Sequence, residues 1–474
     1  MSETDNKNER DLLLFQLGPV QEFIAQAAEV SDLWAGSYLL SSLVWAGIKS
    51  LQEKGIGRED FVFPSLVDDT VRRALEDRRI PTIPNRFLCW VPSGKGSEIA
   101  EGAKDAIRHA LMDYIAEFAA FEGAELQAEQ FLQMTWATLE DPARDMGQDY
   151  RAVGRRLALR RNLREFDPWR ETEGLRNAPK DYLSGKEAAL ADRRGAVNLI
   201  KKGLAAKAPG GFAAGKSGYI AVVAMDGDRM GATLSGLKTA DEHRAFSGAL
   251  AQFACSVEGL LPEGGQLMYA GGDDVLAVVP ATSALATAQR ISTAFSDKMQ
   301  AAGLGTVSAS AGVAVGSVTM PLQDLVSEAH AAEHRAKTAY GRSAFAVSVF
   351  KRSGEILQWG GRWDSCGLKL YESLSSGVSA ASGDVTHGFP HKLASFLSLY
   401  DLERGLSIPV EDMRKIVQEE VLHVWGRSNV GLEIADAAAK YATEVFADRH
   451  AKLADFLAAF LCEDFINRPR EERE

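Results

Sequence analysis

Two short acidic stretches have residue types suited to joint chemistry. Met225-Asp226-Gly227-Asp228 follows directly on an apolar run, and Gly271-Gly272-Asp273-Asp274 lies between two others. Clustered carboxylates repel one another, and a divalent cation relieves that repulsion. Magnesium favours oxygen ligands and takes one or two carboxylates together with substrate phosphates. Two such ions can clamp the attacking and leaving oxygens of an in-line phosphoryl displacement. The paired glycines serve a separate need, because a residue without Cβ permits a tight turn and close approach of phosphates to backbone amides. Gly-Gly-Asp-Asp alone is also a good hairpin turn. The matching carboxylates at a second strand end raise the phosphoryl-transfer reading above that one.

Those two stretches need a scaffold that joins them. Leu12–Leu17 reads as a buried strand closed by Gly18-Pro19, and apolar spacing predicts a helix from Val20 to about Leu51. Strands over Asp60–Leu66 and Arg86–Val91, a helix over Glu98–Ala120 and a strand over Phe131–Leu139 complete a β-α-β-β-α-β order. The order recurs as a strand at Gly218–Met225, a helix at Asp241–Leu261 and a hairpin of Gln266–Tyr269 with Val275–Val279. A helix at Ala284–Ala302 and a strand at Thr306–Val315 follow, then a helix at Leu322–Thr338 and a strand at Ala344–Phe350. The first and third strands of such a sheet are antiparallel neighbours. Asp226 and Asp273, 47 positions apart, therefore meet at one sheet edge.

The expected class is α+β: two ferredoxin-like domains, an intervening helical domain and a C-terminal helical bundle. The boundaries are a polar tail at 1–10, a first domain at 11–141 and a basic helical insert at 142–216. A second domain at 217–355 and a helical domain at 356–474 complete the chain.

Acidic residues number 65 against 53 basic ones, a net charge of −12, which argues against a general nucleic-acid coat protein. Basic residues nevertheless concentrate in the insert: Arg151, Arg155, Arg156, Arg160, Arg161 and Arg164, then Arg193, Arg194, Lys201 and Lys202. They form either a solvated helix face or a phosphate-contacting strip facing RNA or DNA. Four scattered cysteines, none in a Cys-x-x-Cys pair, predict neither a disulfide framework nor a cysteine zinc site. The polar start is unlike a secretory signal and no apolar run is long enough for a membrane span, so the expected location is cytoplasmic. His387 and His391 have helical metal spacing, but Pro390 between them favours a helix start.

The chain resembles the large Palm-polymerase subunit of type III CRISPR effector complexes, most closely the Cmr branch, type III-B. The carrying residues are Gly18-Pro19-Val20-Gln21-Glu22-Phe23-Ile24, Asp32-Leu33-Trp34-Ala35-Gly36-Ser37-Tyr38-Leu39-Leu40-Ser41 and Pro84-Asn85-Arg86-Phe87. Asp226-Gly227-Asp228-Arg229-Met230-Gly231, Tyr269-Ala270-Gly271-Gly272-Asp273-Asp274, Ser310-Ala311-Gly312 and Ala336-Lys337 continue the pattern. The resemblance runs from about residue 11 to the end of the chain.

It implies two nucleotidyl-cyclase-like Palm domains and an ATP-using polymerase switched on by target RNA. The product is a cyclic oligoadenylate messenger, released with pyrophosphate. Asp226, Asp273 and Asp274 become the catalytic and metal residues for two Mg2+ or Mn2+ ions. Gly227, Asp228, Gly271, Gly272 and Lys337 become nucleotide contacts, with Gly36 and Ser37 in the first Palm. The implied partners are guide RNA, target RNA and the backbone, small and crRNA-end-binding subunits of a multi-subunit complex, with no membrane.

Three departures from the family pattern carry expectations of their own. The first Palm starts at once, and with no His-Asp dipeptide the histidine-aspartate nuclease domain and its activity are not expected. A family zinc motif is replaced by Asp181-Tyr182-Leu183-Ser184-Gly185, so no zinc is expected and packing must hold that region. The loop Ala27-Ala28-Glu29-Val30-Ser31 lacks the family's basic residues, and Asp68 and Asp69 add negative charge. An alternative is therefore condensation of ATP with the cationic S-adenosylmethionine. A further alternative is a non-catalytic nucleotide- or RNA-binding scaffold. A cyclic-dinucleotide synthase is disfavoured by the second Palm copy and by Val275 where those enzymes usually carry an aromatic.

Overall fold

The computed structural model describes residues 10–143, 145–163, 179–186, 188–189, 192–209, 218–380, 389–397, 410–426, 432–445, 447 and 453–467. Arg164 of the basic strip, His387 and most of the polar tail lie outside them. The first half runs β1 (Arg10–Gly18), α1 (Gln21–Ala25), α2 (Val30–Glu53), β2 (Phe61–Phe63) and α3 (Thr70–Glu76). It continues through β3 (Arg86–Pro92), α4 (Gly96–Phe118), α5 (Ala124–Phe131) and β4 (Gln133–Leu139). The sheet order β2-β3-β1-β4 is that of the ferredoxin-like unit, with β1 antiparallel to both β3 and β4.

Three local expectations change. The single helix from Val20 is broken after Ala25, and α2 restarts where Asp32 Oδ2 accepts from the Ala28 and Glu29 amides. The strand over Asp60–Leu66 shrinks to three residues because Pro64 has no amide hydrogen to extend the ladder. The short helices α3 and α5 fall in stretches with no predicted element.

The unbroken apolar run of β1 has a simple cause: the strand is covered on both faces. Leu13, Phe15 and Leu17 pack towards α2 and α4. Leu12 and Leu14 pack against Met146, Val153 and Leu157 of α6 (Met146–Asn162). The first helix of the basic insert therefore serves as the lid of the first sheet. The next helix, α7 (Ala196–Ala205), lies beside α2.

The second half runs β5 (Tyr219–Gly227), α8 (Met230–Gly236), α9 (Ala240–Val257), β6 (Gln266–Gly271) and β7 (Asp274–Pro280). Then come α10 (Ala284–Ala301), β8 (Ala309–Ser317), α11 (Leu322–Thr338), β9 (Ala344–Phe350) and β10 (Ile356–Arg362). Its sheet order is β10-β9-β8-β5-β7-β6, the same four-strand core with two added strands. Strand β10 corrects the expectation of helix from residue 356. Leu357 and Trp359 alternate with exposed neighbours and turn inward, with Trp359 packed edge-on against Phe345, so residues 356–362 finish the sheet. Helices α12 (Cys366–Ala380), α13 (Phe389–Leu397), α14 (Val410–Gly426), α15 (Leu432–Val445) and α16 (Leu453–Asn467) follow, and α16 contacts β10. His391 lies on α13.

Alternation along β5 joins the two halves. Tyr219, Ala221, Val223 and Met225 share a core with residues of α9, α10 and the C-terminal helices. Ile220, Val222 and Ala224 share one with α2 and the inner face of β1. On β8, a Cβ added at Gly312 would fall onto the Ala329 carbonyl oxygen and the Glu333 amide, so this glycine lets α11 lie directly on the strand. Gly312→Ala is expected to cost about 1–3 kcal/mol by overpacking, read as a lowered denaturant midpoint.

Candidate active site

Strand register places the acidic residues. Met225 pairs with Val275 and Asp226 with Ser310, while Gly271 pairs with Asp274 across the hairpin. Gly272 takes a φ of +71° at the first corner of the turn, where an L side chain is strained. At Gly227 a Cβ would stand 2.9 Å from the Asp273 Cβ and 2.8 Å from the Met230 Sδ, so the absence of a side chain there admits Asp273. Asp226, Asp273 and Asp274 do come together: Asp226 acts electrostatically on both of the others, and the residue next to it, Gly227, lies against the Asp273 Cβ.

The electrostatics show the strain of that meeting. Loss of solvent, then repulsion from Asp226, pushes the Asp273 carboxyl up to about 7. Asp274 also rises well above the ordinary carboxylate range, through loss of solvent around its carboxyl and then repulsion from Asp273, although the residue as a whole keeps an open edge. The Lys337 ammonium answers part of this charge, donating to Asp226 Oδ2 and pairing with Glu333 Oε1 at 2.6 Å. Burial opposes its charge, but those two partners prevail and raise its pKa. Burial likewise lifts Glu333 and lowers His330, which faces Asp226. His330 and Glu333 were missed in the sequence. The three-residue step from His330 to Glu333 and the four-residue step from Glu333 to Lys337 put all three on one face of α11, and that spacing was the available signal.

Among the described residues no three acidic, histidine or cysteine side chains form a ready metal cage, and the Lys337 ammonium donates to Asp226. The donor set still fits a divalent cation. Carboxylates crowded until one holds its proton to near neutrality need a stronger countercharge than one shared ammonium.

Other expected contacts have different neighbours. Asp228 is buried, and its oxygens accept from Ser308 Oγ at 2.7 Å, Ser310 Oγ at 2.8 Å and the Ser343 amide at 2.9 Å. It fastens the loop after β5 and leaves no oxygen turned to a nucleotide. Ser37 is buried and donates to the Leu33 carbonyl. Gly36 faces Lys201, whose Cε would be 2.9 Å from an added Cβ. Neither presents itself to a substrate.

The negative charge proposed to draw a cation is also committed. Asp69 pairs with Arg58 at 2.7 Å and with Arg72 at 3.4 Å, and Asp68 accepts from the Thr70 amide. In the stretch matched to a zinc motif, the organiser is the buried Asp181 rather than apolar packing. It accepts from the Leu183, Ser184 and Gly195 amides and from Asn198 Nδ2.

The first half supplies a wall beside the acidic edge. A Cβ on Gly272 would come within 3.8 Å of Phe63 Cζ, and Arg86 lies 6.0 Å from the Phe63 ring centroid, close enough to act on Asp273. The candidate site is therefore formed between the two domains.

Residues 219–346 match the family described as Cas10/Cmr2, second palm domain, and residues 12–116 match CRISPR-associated protein Cmr2, N-terminal. Both of its sheet domains thus carry the pattern of the Cas10/Cmr2 family. It is 27% identical over 238 residues to the CRISPR system Cmr subunit Cmr2 of Pyrococcus furiosus, an alignment covering 44% of this chain and 26% of that longer protein. Its fold is similar to a chain of the type III-B Cmr-beta complex bound to cognate target RNA, with a TM-score of 0.60 and 10% identity over 97% of this chain and 83% of that one. It is also similar to a chain of the Csm1-Csm4 cassette in complex with cA4, with a TM-score of 0.51 and 14% identity over 84% and 63%. The acidic edge falls in the second palm of this family, and Phe63 and Arg86 in its N-terminal region.

Burial of Lys201 gives a prediction for the region under Gly36. Its ammonium donates to the Phe23 carbonyl and, at 2.8 Å, to the Gln26 carbonyl, and burial lowers its pKa to about 7. In the unfolded chain the value returns to about 10.4. Between these limits the unfolded state binds the extra proton, so stability rises as pH climbs from about 7 towards 10 and is lost as pH falls back. Denaturant titrations at pH 7 and 9 should show this gain in the parent and a smaller gain in Lys201→Met.

Proposed function

We propose that this chain is the Palm-polymerase subunit of a type III-B CRISPR effector complex, turning ATP into a cyclic oligoadenylate when target RNA is bound. The observation that carries the reading is the convergence of Asp226 on Asp273 and Asp274 beside a wall from the first Palm. A scaffold that only bound RNA would gain nothing from carboxylates that repel one another. The family relatives support the same class: one similar fold comes from a complex bound to cognate target RNA and another from a cassette in complex with cA4. Guide RNA, target RNA and the other subunits are proposed partners on that ground.

In the reaction, the 3′-oxygen of one adenosine nucleotide attacks the α-phosphorus of an ATP. The new O–P bond forms as the bond from that phosphorus to the bridging oxygen breaks, pyrophosphate departs, and the hydroxyl proton passes to solvent. Asp226 and Asp273, assisted by Asp274, are the proposed ligands of magnesium or manganese, which would neutralise charge on the phosphates and sharpen the nucleophile. Gly272 leaves the turn bare enough for phosphates to approach, whereas the space beside Gly271 is taken by the Tyr269 ring, whose hydroxyl donates to the Gly271 carbonyl. Lys337, held by Glu333, is placed to pass its charge from Asp226 to an incoming polyphosphate. The fastening contacts of Asp228 and the burial of Gly36 and Ser37 give these three supporting roles in this reading.

Replacing both Asp273 and Asp274 by Asn should lower product formation by about 10²-fold or more, measured by mass spectrometry of nucleotides with target RNA present. Assembly, followed by size-exclusion chromatography, should be unchanged. Product at the parent rate would end the catalytic reading. Because Arg58 and Arg72 already neutralise Asp69, adding S-adenosylmethionine to ATP should leave the product mass unaltered. A mass containing both compounds would replace the oligoadenylate with the conjugate.

A further inference from the structure

Helix α6 divides its arginines between two tasks. Arg156 donates to the Thr138 carbonyl at 2.7 Å, and Arg160 stacks 3.8 Å from the Trp136 ring centroid, so these two secure the helix to β4. Arg151, Arg155 and Arg161 instead line a cavity of about 450 Å³ between α6 and the ends of β1 and β3, together with Tyr150, Gln16 and Arg86. Among the described residues no acidic side chain forms a direct ion pair with Arg86, Arg151, Arg155 or Arg161, although Arg86 acts on Asp273 from farther away. Arg151 donates its Nε to the Gly147 carbonyl and Arg86 lies over Phe63, but the concentration of guanidinium groups stands out in a chain of net charge −12.

The cavity begins beside the acidic edge. Gln16 and Arg86 are paired across β1 and β3, and Arg86 lies over Phe63, against which the Gly272 turn rests. We propose that this cavity holds the 5′-polyphosphate of the nucleotide whose 3′-hydroxyl attacks, with Arg86, Arg151, Arg155 and Arg161 as its phosphate contacts. This rests on the reaction proposed above and names the part of the acceptor that the site selects.

The size and charge of the cavity fit that occupant. Guanidinium groups present forked donors that match phosphate oxygens, and the volume lies in the range of small-molecule pockets. A nucleic-acid backbone is instead tracked by an extended charged groove. The position also fits: an acceptor must place its 3′-oxygen at the acidic edge and its 5′ end away from it. Arg86 lies where those two regions join.

The test compares two acceptors on the assembled, target-RNA-bound complex carrying Asp273→Asn, so that binding is measured without turnover. pppApA and ApA differ only at the 5′ end. The parent should bind pppApA at least tenfold more tightly than ApA. Arg155→Gln with Arg161→Gln should remove most of that preference while leaving ApA affinity within twofold. Equal affinity of the parent for the two acceptors would overturn the assignment, as would equal losses on both. Unchanged pppApA binding together with weakened target-RNA retention would overturn it by assigning these arginines to RNA. Should the native complex make no oligoadenylate while the 5′ preference and its arginine dependence hold, the catalytic reading falls and the phosphate site stands.

Discussion

Repulsion among three carboxylates is the constraint around which the molecule is built. Asp226, Asp273 and Asp274 would separate if they were on mobile segments, because the charge of Asp226 raises the cost of ionising the other two. They are kept together by hydrogen-bonded strand register: Met225 against Val275 on one side, Asp226 against Ser310 on the other, and the two-residue turn at Gly272. Both faces of that sheet are covered, by the C-terminal helices on one side and the first Palm on the other. The burial free energy of the two cores therefore opposes the local electrostatic cost. Lys337 on α11, held by Glu333, tempers that cost, and Gly312 brings the helix near enough for it to do so.

The duplicated fold allows a division of labour. The second Palm carries the acidic edge. The first presents Phe63 and Arg86 to it and ends β1 at Gly18-Pro19, without carboxylates at the matching position. The first sheet is also capped by α6 on the face opposite its own helices, so its outer surface becomes the wall of a basic cavity. The edge thus takes its carboxylates and Lys337 from one copy, and Arg86 with the arginine-lined cavity beyond it from the other.

Sequence pattern exposed most of the strands and long helices, because apolar period and Gly/Pro punctuation are local properties. Leu322–Thr338 and Ala344–Phe350 have the expected bounds. The misses also have local causes: Pro64 shortened β2, Asp32 capped a new helix start, and a brief alternation around Trp359 was hidden in a helical composition. At the site, Asp226, Asp273 and Asp274 were legible because acidic residues beside glycines follow apolar strands. Asp228 looked equivalent in sequence, yet three donors from remote loops claim its oxygens. Glu333 and His330 looked like ordinary helix-surface residues until α11 was laid on β8.

By itself, the sequence determined the α+β class, the repeated element order and the acidic triad, since each follows from residue type and spacing along one strand or helix. Only the tertiary structure decided which charges remain uncommitted. It paired Asp69 with Arg58 and Arg72, buried Lys201 beneath Gly36, and left Arg155 and Arg161 lining a cavity. The physical reason is that the partner of a charge is set by distance in space, and through sheet pairing and helix packing that distance has no simple relation to position in the chain.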